Sequence, residues 1–188
     1  MNEFLESSTY IDWAEPKVEA KARELTGSNT SDIAIAKSCF EWVRDEIKHS
    51  HDFGLNPVTA KASEVLRERT GYCYAKSHLL AALLRANRIP AGLCYQRLSV
   101  EGDGSPYCIH GLNAVFLKEY GWYRIDPRGN KEGVDAQFLP PTEILAFSTS
   151  LDEEYLDEEI YKSPLPSVIE ALTLNKTEQE VWEHLPDF

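Results

Sequence analysis

Long apolar runs and clusters of basic residues are both missing from this sequence of 188 residues. Its longest aliphatic run is the six residues LLAALL, whereas a helix that crosses a bilayer needs about 20. The formal net charge is −12, and no group of Lys and Arg side chains is dense enough to bind a phosphate backbone. Neither nucleic acid nor a membrane is therefore expected as a partner.

The opening residues MNEFLESSTYIDW lack the basic start and the continuous apolar stretch of a secretory leader. Cysteine is also scarce, and the four residues of this type are Cys39, Cys73, Cys94 and Cys108. In a chain without an export signal, such a set is more typical of reduced thiols than of a disulfide framework. We therefore expect free cysteines and a cytoplasmic location.

The composition is that of an ordinary globular protein, with 43% hydrophobic and 11% aromatic residues. The length fits one domain over residues 1–188, with a core at about 32–130. Six acids in Leu151–Ile160 account for half of the net charge, a pattern typical of a solvated segment and less often of a docking strip. We expect residues 150–188 to hold this acidic segment and a C-terminal helical extension.

Hydrophobic spacing changes from helical to strand-like along the chain. Apolar residues recur with helical periodicity in four segments before Pro90: 18–25, 32–48, about 60–66, and a helix that follows Gly71 and ends near Asn87. Beyond Pro90 the pattern predicts strands, joined by glycine-containing turns, at 91–100, 107–118 and 121–127. Two short helices are predicted in the tail. The fold class is therefore α+β, with a small antiparallel sheet packed on the N-terminal helices.

One cysteine stands where its chemistry would be useful. In the stretch RERTGYCYAKSHLL, Gly71 allows a sharp turn and Cys73 falls in the first turn of the following helix. A helix N-terminus and a neighbouring imidazolium both favour the thiolate, which is the nucleophilic form of cysteine. The unpaired N–H groups of the same turn are suited to stabilise a tetrahedral oxyanion. Cys73 is thus a candidate nucleophile.

His110 is the best candidate for the base, because it alone among the five histidines lies in a strand-like segment after the Cys73 helix. The other four lie at a helix end, on another face of the Cys73 helix or in the tail: His49, His51, His78 and His184. Asp126, on the next predicted strand, is suited to orient the imidazole. An ideal hairpin would place it opposite residue 113 or 114, about 10 Å from His110 along the strand, so we expect a bulge or strong twist between them.

Three stretches, TGYCYAKSHLLAALLRANRIPA, HGLNAVFL and GWYRIDPRGN, together resemble the transglutaminase-like superfamily of papain-fold cysteine enzymes. The resemblance spans about residues 32–130. It rests on Gly-x-Cys at a helix start, the helix exit LLRANRIPA, a histidine opening a strand, and Trp-x-x-x-Asp-Pro. It implies an α+β fold with Cys73 as nucleophile, His110 as general base and acid, and Asp126 as the orienting carboxylate.

The expected activity is acyl chemistry at Cys73. An amide-type substrate, either a peptide, a protein or a small amide, would form an acyl-enzyme that passes to water or to an amine. Peptidase or amidase activity and transglutaminase activity are both open, with arylamine N-acetyltransferase-like chemistry as a weaker third. The alternative is a catalytically inactive module that binds a peptide in the same cleft. No cofactor is required, and neither the calcium sites nor the Cys-x-x-Cys zinc pairs of relatives are evident.

Several side chains have competing interpretations. A zinc site from Cys73, Cys94, Cys108 and His110 uses suitable ligands, but its spacing offers only one close pair. We expect Lys76 to be a solvated helix residue and Arg128 to hold its loop rather than bind a substrate carboxylate. Aromatic residues that could line a cleft or pack in the core are Tyr95, Tyr107, Trp122 and Tyr123. Candidates for a second oxyanion donor are Tyr72, Trp42 and Gln96.

Overall fold

The computed structural model describes all 188 residues, and it has the predicted α+β architecture. After a 3-10 turn at Asn2–Leu5, the helices are α1 Pro16–Thr26, α2 Asp32–Glu46, α3 Ser50–Phe53, α4 Ala62–Glu68, α5 Cys73–Ala86, α6 Pro166–Leu174 and α7 Glu178–Glu183. The strands are β1 Lys48–His49, β2 Thr70–Gly71, β3 Ala91–Ser99, β4 Tyr107–Leu117, β5 Gly121–Ile125, β6 Gln137–Leu139, β7 Thr142–Ile144 and β8 Tyr155–Leu156. Each predicted helix and strand is confirmed, with boundaries shifted by a few residues at most. None of the helices combines the length and the apolar character needed to cross a bilayer.

Helix α5 is the centre of the molecule. Thirteen of its 14 residues are buried, and it contacts α1, α2 and α4 as well as strands β3 and β4. A helix that is apolar on nearly all sides is stable only when other elements surround it, so α5 forms the core instead of lying on the surface. Its first residue, Cys73, is consequently held in a fixed place relative to the sheet.

The main sheet has the antiparallel strand order β5-β4-β3-β8. β3 pairs with β4 along its whole length, from Ala91 opposite Val115 to Ser99 opposite Tyr107. The acidic segment contributes its own edge strand, because Tyr155 and Leu156 pair with β3. Part of this acidic segment is therefore a structural element of the sheet.

A buried arginine ties distant segments to the end of α5. Arg85 is only 1% exposed, and its guanidinium donates hydrogen bonds to the carbonyl oxygens of Glu6, Ala91 and Lys162 at 2.8–3.0 Å. Burial lowers the pKa of Arg85 to about 10, a value at which it remains charged at neutral pH. Three carbonyls around one charge thus join the N-terminal segment, β3 and the segment before α6.

Glycine at position 111 sets the distance between α5 and β4. A Cβ atom there would lie 3.0 Å from Tyr74 Cδ1 and 3.2 Å from Tyr74 Cα, closer than ordinary van der Waals contact. The backbone of α5 can therefore approach the strand at this point only because Gly111 has no side chain.

We expect Gly111→Ala to lower the free energy of unfolding by about 1–3 kcal/mol, since the added methyl group must push α5 away from β4. Chemical denaturation followed by tryptophan fluorescence measures this change. The control is Ser28→Ala in the exposed α1–α2 loop, which should stay within about 0.5 kcal/mol of the wild type. Equal stability of Gly111→Ala and the control would contradict the close contact.

Candidate active site

Cys73 begins α5 directly after β2, which pairs in parallel with β1. This pairing sets Gly71 beside His49 and fixes the turn that leads into the helix. The Cys73 side chain is 6% exposed and lines a cleft of about 740 Å³. The sulfur is thus at the helix N-terminus and within reach of a bound molecule.

Two groups of β4 face the sulfur atom. The backbone N–H of Gly111 points to Cys73 Sγ at 3.5 Å, and the His110 imidazole is near enough to the same sulfur for Cys73 to raise the pKa of His110. The His110 ring also packs edge-on against Phe147, with a centroid distance of 5.0 Å. The structure therefore brings Cys73 and His110 together, as the sequence predicts.

Asp126 lies on the other side of the His110 ring. His110 Nε2 is 2.8 Å from Asp126 Oδ2, and the carboxylate is fully buried. Asp126 also accepts hydrogen bonds at 3.1 Å from the backbone N–H groups of Arg128 and Ala146. Because Nε2 is bound to the carboxylate, Nδ1 is the ring nitrogen left for the thiol.

The expected bulge between β4 and β5 is not present. The ladder is continuous from Leu117 opposite Gly121 to Asn113 opposite Ile125, and its continuation places Asp126 opposite Leu112. The prediction of residue 113 or 114 was wrong by one or two positions, because it assumed a different turn register. Since side chains alternate along a strand, Asp126 and His110 fall on the same face as diagonal neighbours, within reach of each other.

The electrostatics of this buried trio favour charge on the imidazole. Burial works against protonation of His110, but the Asp126 carboxylate and the Cys73 sulfur outweigh it and raise the pKa of His110 to about 10. In the same way, burial of Asp126 opposes its ionisation, yet the imidazolium and the two backbone donors lower the pKa of Asp126. The ion pair is thus the favoured form of these two side chains at neutral pH.

The other three thiols are enclosed to different degrees, since Cys39 and Cys94 are buried and Cys108 is half-buried. Burial raises the pKa of Cys39, Cys94 and Cys108 to about 12 in each case. Cys94 packs in a small cluster with Leu112 that is separate from the main core. No three His, Cys, Asp or Glu side chains are grouped closely enough to hold a metal, so the four side chains weighed as zinc ligands are not arranged as a zinc site.

His49 and His51 were expected at a helix end, and this expectation was wrong. α2 ends at Glu46, His49 lies on β1, and His51 lies in the short helix α3, while both rings line the cleft. His49 Nδ1 is buried without a hydrogen-bond partner and lies 3.8 Å from Asp52 Oδ2. Burial and the nearby Arg128 charge lower the pKa of His49, so a neutral imidazole stands beside the Cys73 site.

Arg128 holds its loop, as expected. Its guanidinium donates two hydrogen bonds to Asp52 at 2.6 and 2.9 Å, and Lys131 Nζ donates to the same carboxylate at 2.7 Å. Burial opposes ionisation of Asp52, but these donors lower its pKa well below the ordinary value. The loop after Asp126 is thereby fastened to α3 at one end of the cleft.

Lys76 is not the solvated helix residue that the sequence suggested. It is completely buried, and its ammonium group donates hydrogen bonds to the carbonyls of Ile47 and Arg44 at the end of α2. Burial, together with the Arg128 charge, lowers the pKa of Lys76 to about 7. The unpaired carbonyls at the C-terminus of α2 are the signal that sequence reasoning missed.

The aromatic residues that line the cleft are not those proposed from the sequence. Tyr95 and Tyr123 are buried in the core, and neither Tyr107 nor Trp122 lines the cleft. The aromatic side chains that do line it come from the start of α5, the loop after β7 and α7: Tyr72, Tyr74, Phe147 and Trp182.

The side chains considered as a second oxyanion donor either donate to other groups or lie outside the cleft. The Tyr72 hydroxyl donates to the Glu178 carbonyl at 2.6 Å, and the Gln96 amide donates to the Phe147 carbonyl at 3.1 Å. Trp42 lies outside the cleft. The donors that face the sulfur are backbone groups, of which Gly111 N–H is the one that sequence reasoning did not anticipate.

A helix that carries a cysteine at its start, packed on an antiparallel sheet that carries a His–Asp pair, defines the class of papain-like folds. Residues 19–127 match the model of the transglutaminase-like superfamily. The match covers more than half of the chain, and the protein therefore belongs to the transglutaminase-like superfamily. No curated protein is significantly similar to it.

A solved structure shares this fold. A candidate cysteine protease from Cytophaga hutchinsonii is 22% identical, with a TM-score of 0.55 over 66% of this chain and 40% of that one. The periplasmic domain of TgpA from Pseudomonas aeruginosa is also 22% identical, with a TM-score of 0.48 over 66% of this chain and 45% of that one. This chain thus spans less than half the length of either protein. At this identity the likeness to the first structure concerns the fold alone.

We expect Asp126→Asn to bring the pKa of His110 down toward its ordinary value of 6.5, because the amide removes the charge that favours the imidazolium. Titration of the imidazole protons by NMR measures the change. Asp103→Asn, in the exposed β3–β4 loop, is the matched control and should leave His110 unaffected. An unchanged His110 pKa in Asp126→Asn would show that the carboxylate does not charge the ring.

The same pair predicts how stability depends on pH. A pKa of His110 raised from 6.5 to about 10 stabilises the folded state fully below about pH 6.5. This stabilisation is lost as the pH rises through 10. The lowered pKa of Asp126 adds stability above its ordinary value of 3.8, which is lost as the pH falls below it. Denaturant titrations of the wild type should therefore show a decline between pH 6.5 and 10 that is smaller in Asp126→Asn.

Proposed function

We propose that this protein is a cysteine acyltransferase or hydrolase of the transglutaminase-like superfamily, which forms an acyl-enzyme at Cys73 from an amide-type substrate. The observation that carries the proposal is that Cys73 and His110 both line the cleft and that His110 Nε2 lies 2.8 Å from the buried Asp126 carboxylate. Nucleophile, base and orienting group occur together, which is the combination that thiol catalysis needs.

The first half-reaction begins with a proton on His110 and a thiolate on Cys73. Sγ attacks the carbonyl carbon of the amide and forms the C–S bond of a tetrahedral intermediate, while the carbonyl oxygen takes the negative charge. His110 then donates its proton to the amide nitrogen, the C–N bond breaks, and the free amine leaves. The product is a thioester on Cys73.

In the second half-reaction, water or an amine attacks the thioester carbonyl. His110 accepts a proton from the incoming nucleophile, and the C–S bond breaks to regenerate the Cys73 thiolate and the His110 imidazolium. Water gives a carboxylic acid, and an amine gives a new amide. Asp126 keeps one ring nitrogen occupied throughout, so that the other is presented to the reacting atoms.

Backbone donors would stabilise the oxyanion. The N–H groups in the first turn of α5 have no acceptor within the helix, and Cys73 begins that turn. Because the Tyr72 hydroxyl and the Gln96 amide bond elsewhere, main-chain N–H groups at the helix start would take this role.

Selective alkylation tests whether Cys73 is activated. With iodoacetamide at pH 6, Cys73 should label at least ~10-fold faster than the other three cysteines, whose pKa values are raised to about 12. His110→Ala should remove this advantage, whereas His184→Ala, an exposed residue of the tail, should retain it. Peptide mapping by mass spectrometry gives the rate at each site. Slow, equal labelling of all four thiols would favour a module that binds a peptide without turnover.

Turnover itself is tested with amide and thioester donors offered water or a primary amine. The wild type should accumulate an adduct at Cys73, and Cys73→Ala should give neither adduct nor product. Asp126→Asn should lower kcat by about 10²–10⁴-fold, since the imidazole loses its orienting charge. Mass spectrometry of protein and product distinguishes hydrolysis from transfer. Product formation by Cys73→Ala at the wild-type rate would defeat the proposal.

A further inference from the structure

The segment Glu178–Phe188 lies outside the family-matched residues 19–127, yet it builds part of the same cleft. Trp182 of α7 and Leu185 just after it both line the cleft that holds Cys73 and His110. The matched core therefore does not complete the cleft by itself, and the tail supplies one of its walls.

A series of stacked rings connects this wall to the nucleophile. Trp182 lies on His51 with ring centroids 3.9 Å apart and planes 5° from parallel. His51 in turn stacks at 6.5 Å on Tyr72, which immediately precedes Cys73. The Tyr72 hydroxyl bonds the Glu178 carbonyl, and His51 Nδ1 is 3.1 Å from Glu178 Oε2. The start of α7 is thus fixed to the residue next to the reactive sulfur.

The rest of the tail is held against β4 and β3. Ile109, the residue before His110, donates its backbone N–H to the Pro186 carbonyl at 2.7 Å. Arg97 forms a two-point ion pair with Asp187 at 2.7 and 2.8 Å. Leu185, which lies between α7 and these contacts, packs against the main core. Anchors on both sides keep Trp182 and Leu185 in position along the cleft.

We propose that Trp182 and Leu185 form the subsite that selects the acyl donor, favouring donors with a bulky apolar side chain beside the scissile carbonyl. This inference rests on the proposed function. Trp182 and Leu185 are half-buried and carry no charge, so they offer apolar surface to a ligand. The basic residues that line the cleft, Arg128 and Lys131, are already paired with Asp52. Burial of an apolar donor side chain against Trp182 and Leu185 therefore discriminates between donors more strongly than charge pairing does.

The test compares donors that differ only in the side chain beside the carbonyl, such as leucine, phenylalanine, alanine and glutamate. We expect the wild type to prefer the first two, and Trp182→Ala to reduce kcat/KM for them by about 10-fold or more. Alanine donors should change by less than about 2-fold in Trp182→Ala. Trp182→Phe, which keeps an aromatic ring on His51, should retain most of the preference.

Leu174→Ala is the control, because Leu174 is 76% exposed on α6 and does not line the cleft. It should leave both rate and preference unchanged. Leu185→Ala should shift the preference in the same direction as Trp182→Ala. An equal rise or fall for all four donors in the tail variants would overturn the inference, because a wall that selects side chains must change the ratio between donors.

Binding separates this inference from the proposed function. Calorimetry measures the binding of the same donors to Cys73→Ala, which cannot turn them over. The double variant Cys73→Ala/Trp182→Ala should bind the apolar donors more weakly and the other donors unchanged. If the wild type turns over none of the donors but binding shows this selectivity, the subsite of Trp182 and Leu185 is supported and the proposed function is contradicted. If turnover occurs and Trp182→Ala changes neither binding nor the kcat/KM ratios between donors, the proposed function is supported and the subsite is contradicted.

Discussion

The close approach of α5 to β4 is the constraint on which the rest of the site depends. At Gly111 the strand has no side chain, and the first turn of the helix lies against it around Tyr74. This contact sets the start of a buried helix beside the strand that carries His110. Cys73 and His110, separated by 36 intervening positions in the sequence, are neighbours because two backbones pack without intervening side chains.

Burial favours the neutral form of both the thiols and the imidazole, but the net outcome differs between them. Cys39, Cys94 and Cys108 have no charge partner strong enough to offset burial, so they are held in the neutral form. His110 is equally enclosed but faces a carboxylate and a sulfur, and its charged form is favoured. A low-dielectric interior strengthens the electrostatic interaction between a buried group and a charged neighbour. Whether a buried group is neutral or charged therefore depends on its neighbours.

The fold and the central trio could be predicted from the sequence because each rests on a local signal. Hydrophobic periodicity marks α5 and the strands, and Cys73 is recognised by its place at a helix start. The hairpin register could not be derived, since one turn does not determine how Asp126 pairs. Lys76 was misjudged because its partners, the carbonyls at the end of α2, become neighbours only in the folded chain. The tail wall was missed for the same reason, as no local pattern joins Trp182 to His51.

Arg85 limits how far the protein can be shortened. Its guanidinium is satisfied by carbonyls at Glu6 and Lys162, both outside the family-matched residues, in addition to Ala91 inside them. A fragment trimmed to residues 19–127 would lose two of the three carbonyls that accept from Arg85, together with the segments that supply them. The part of this chain that folds as one unit is consequently larger than residues 19–127, which match the family model.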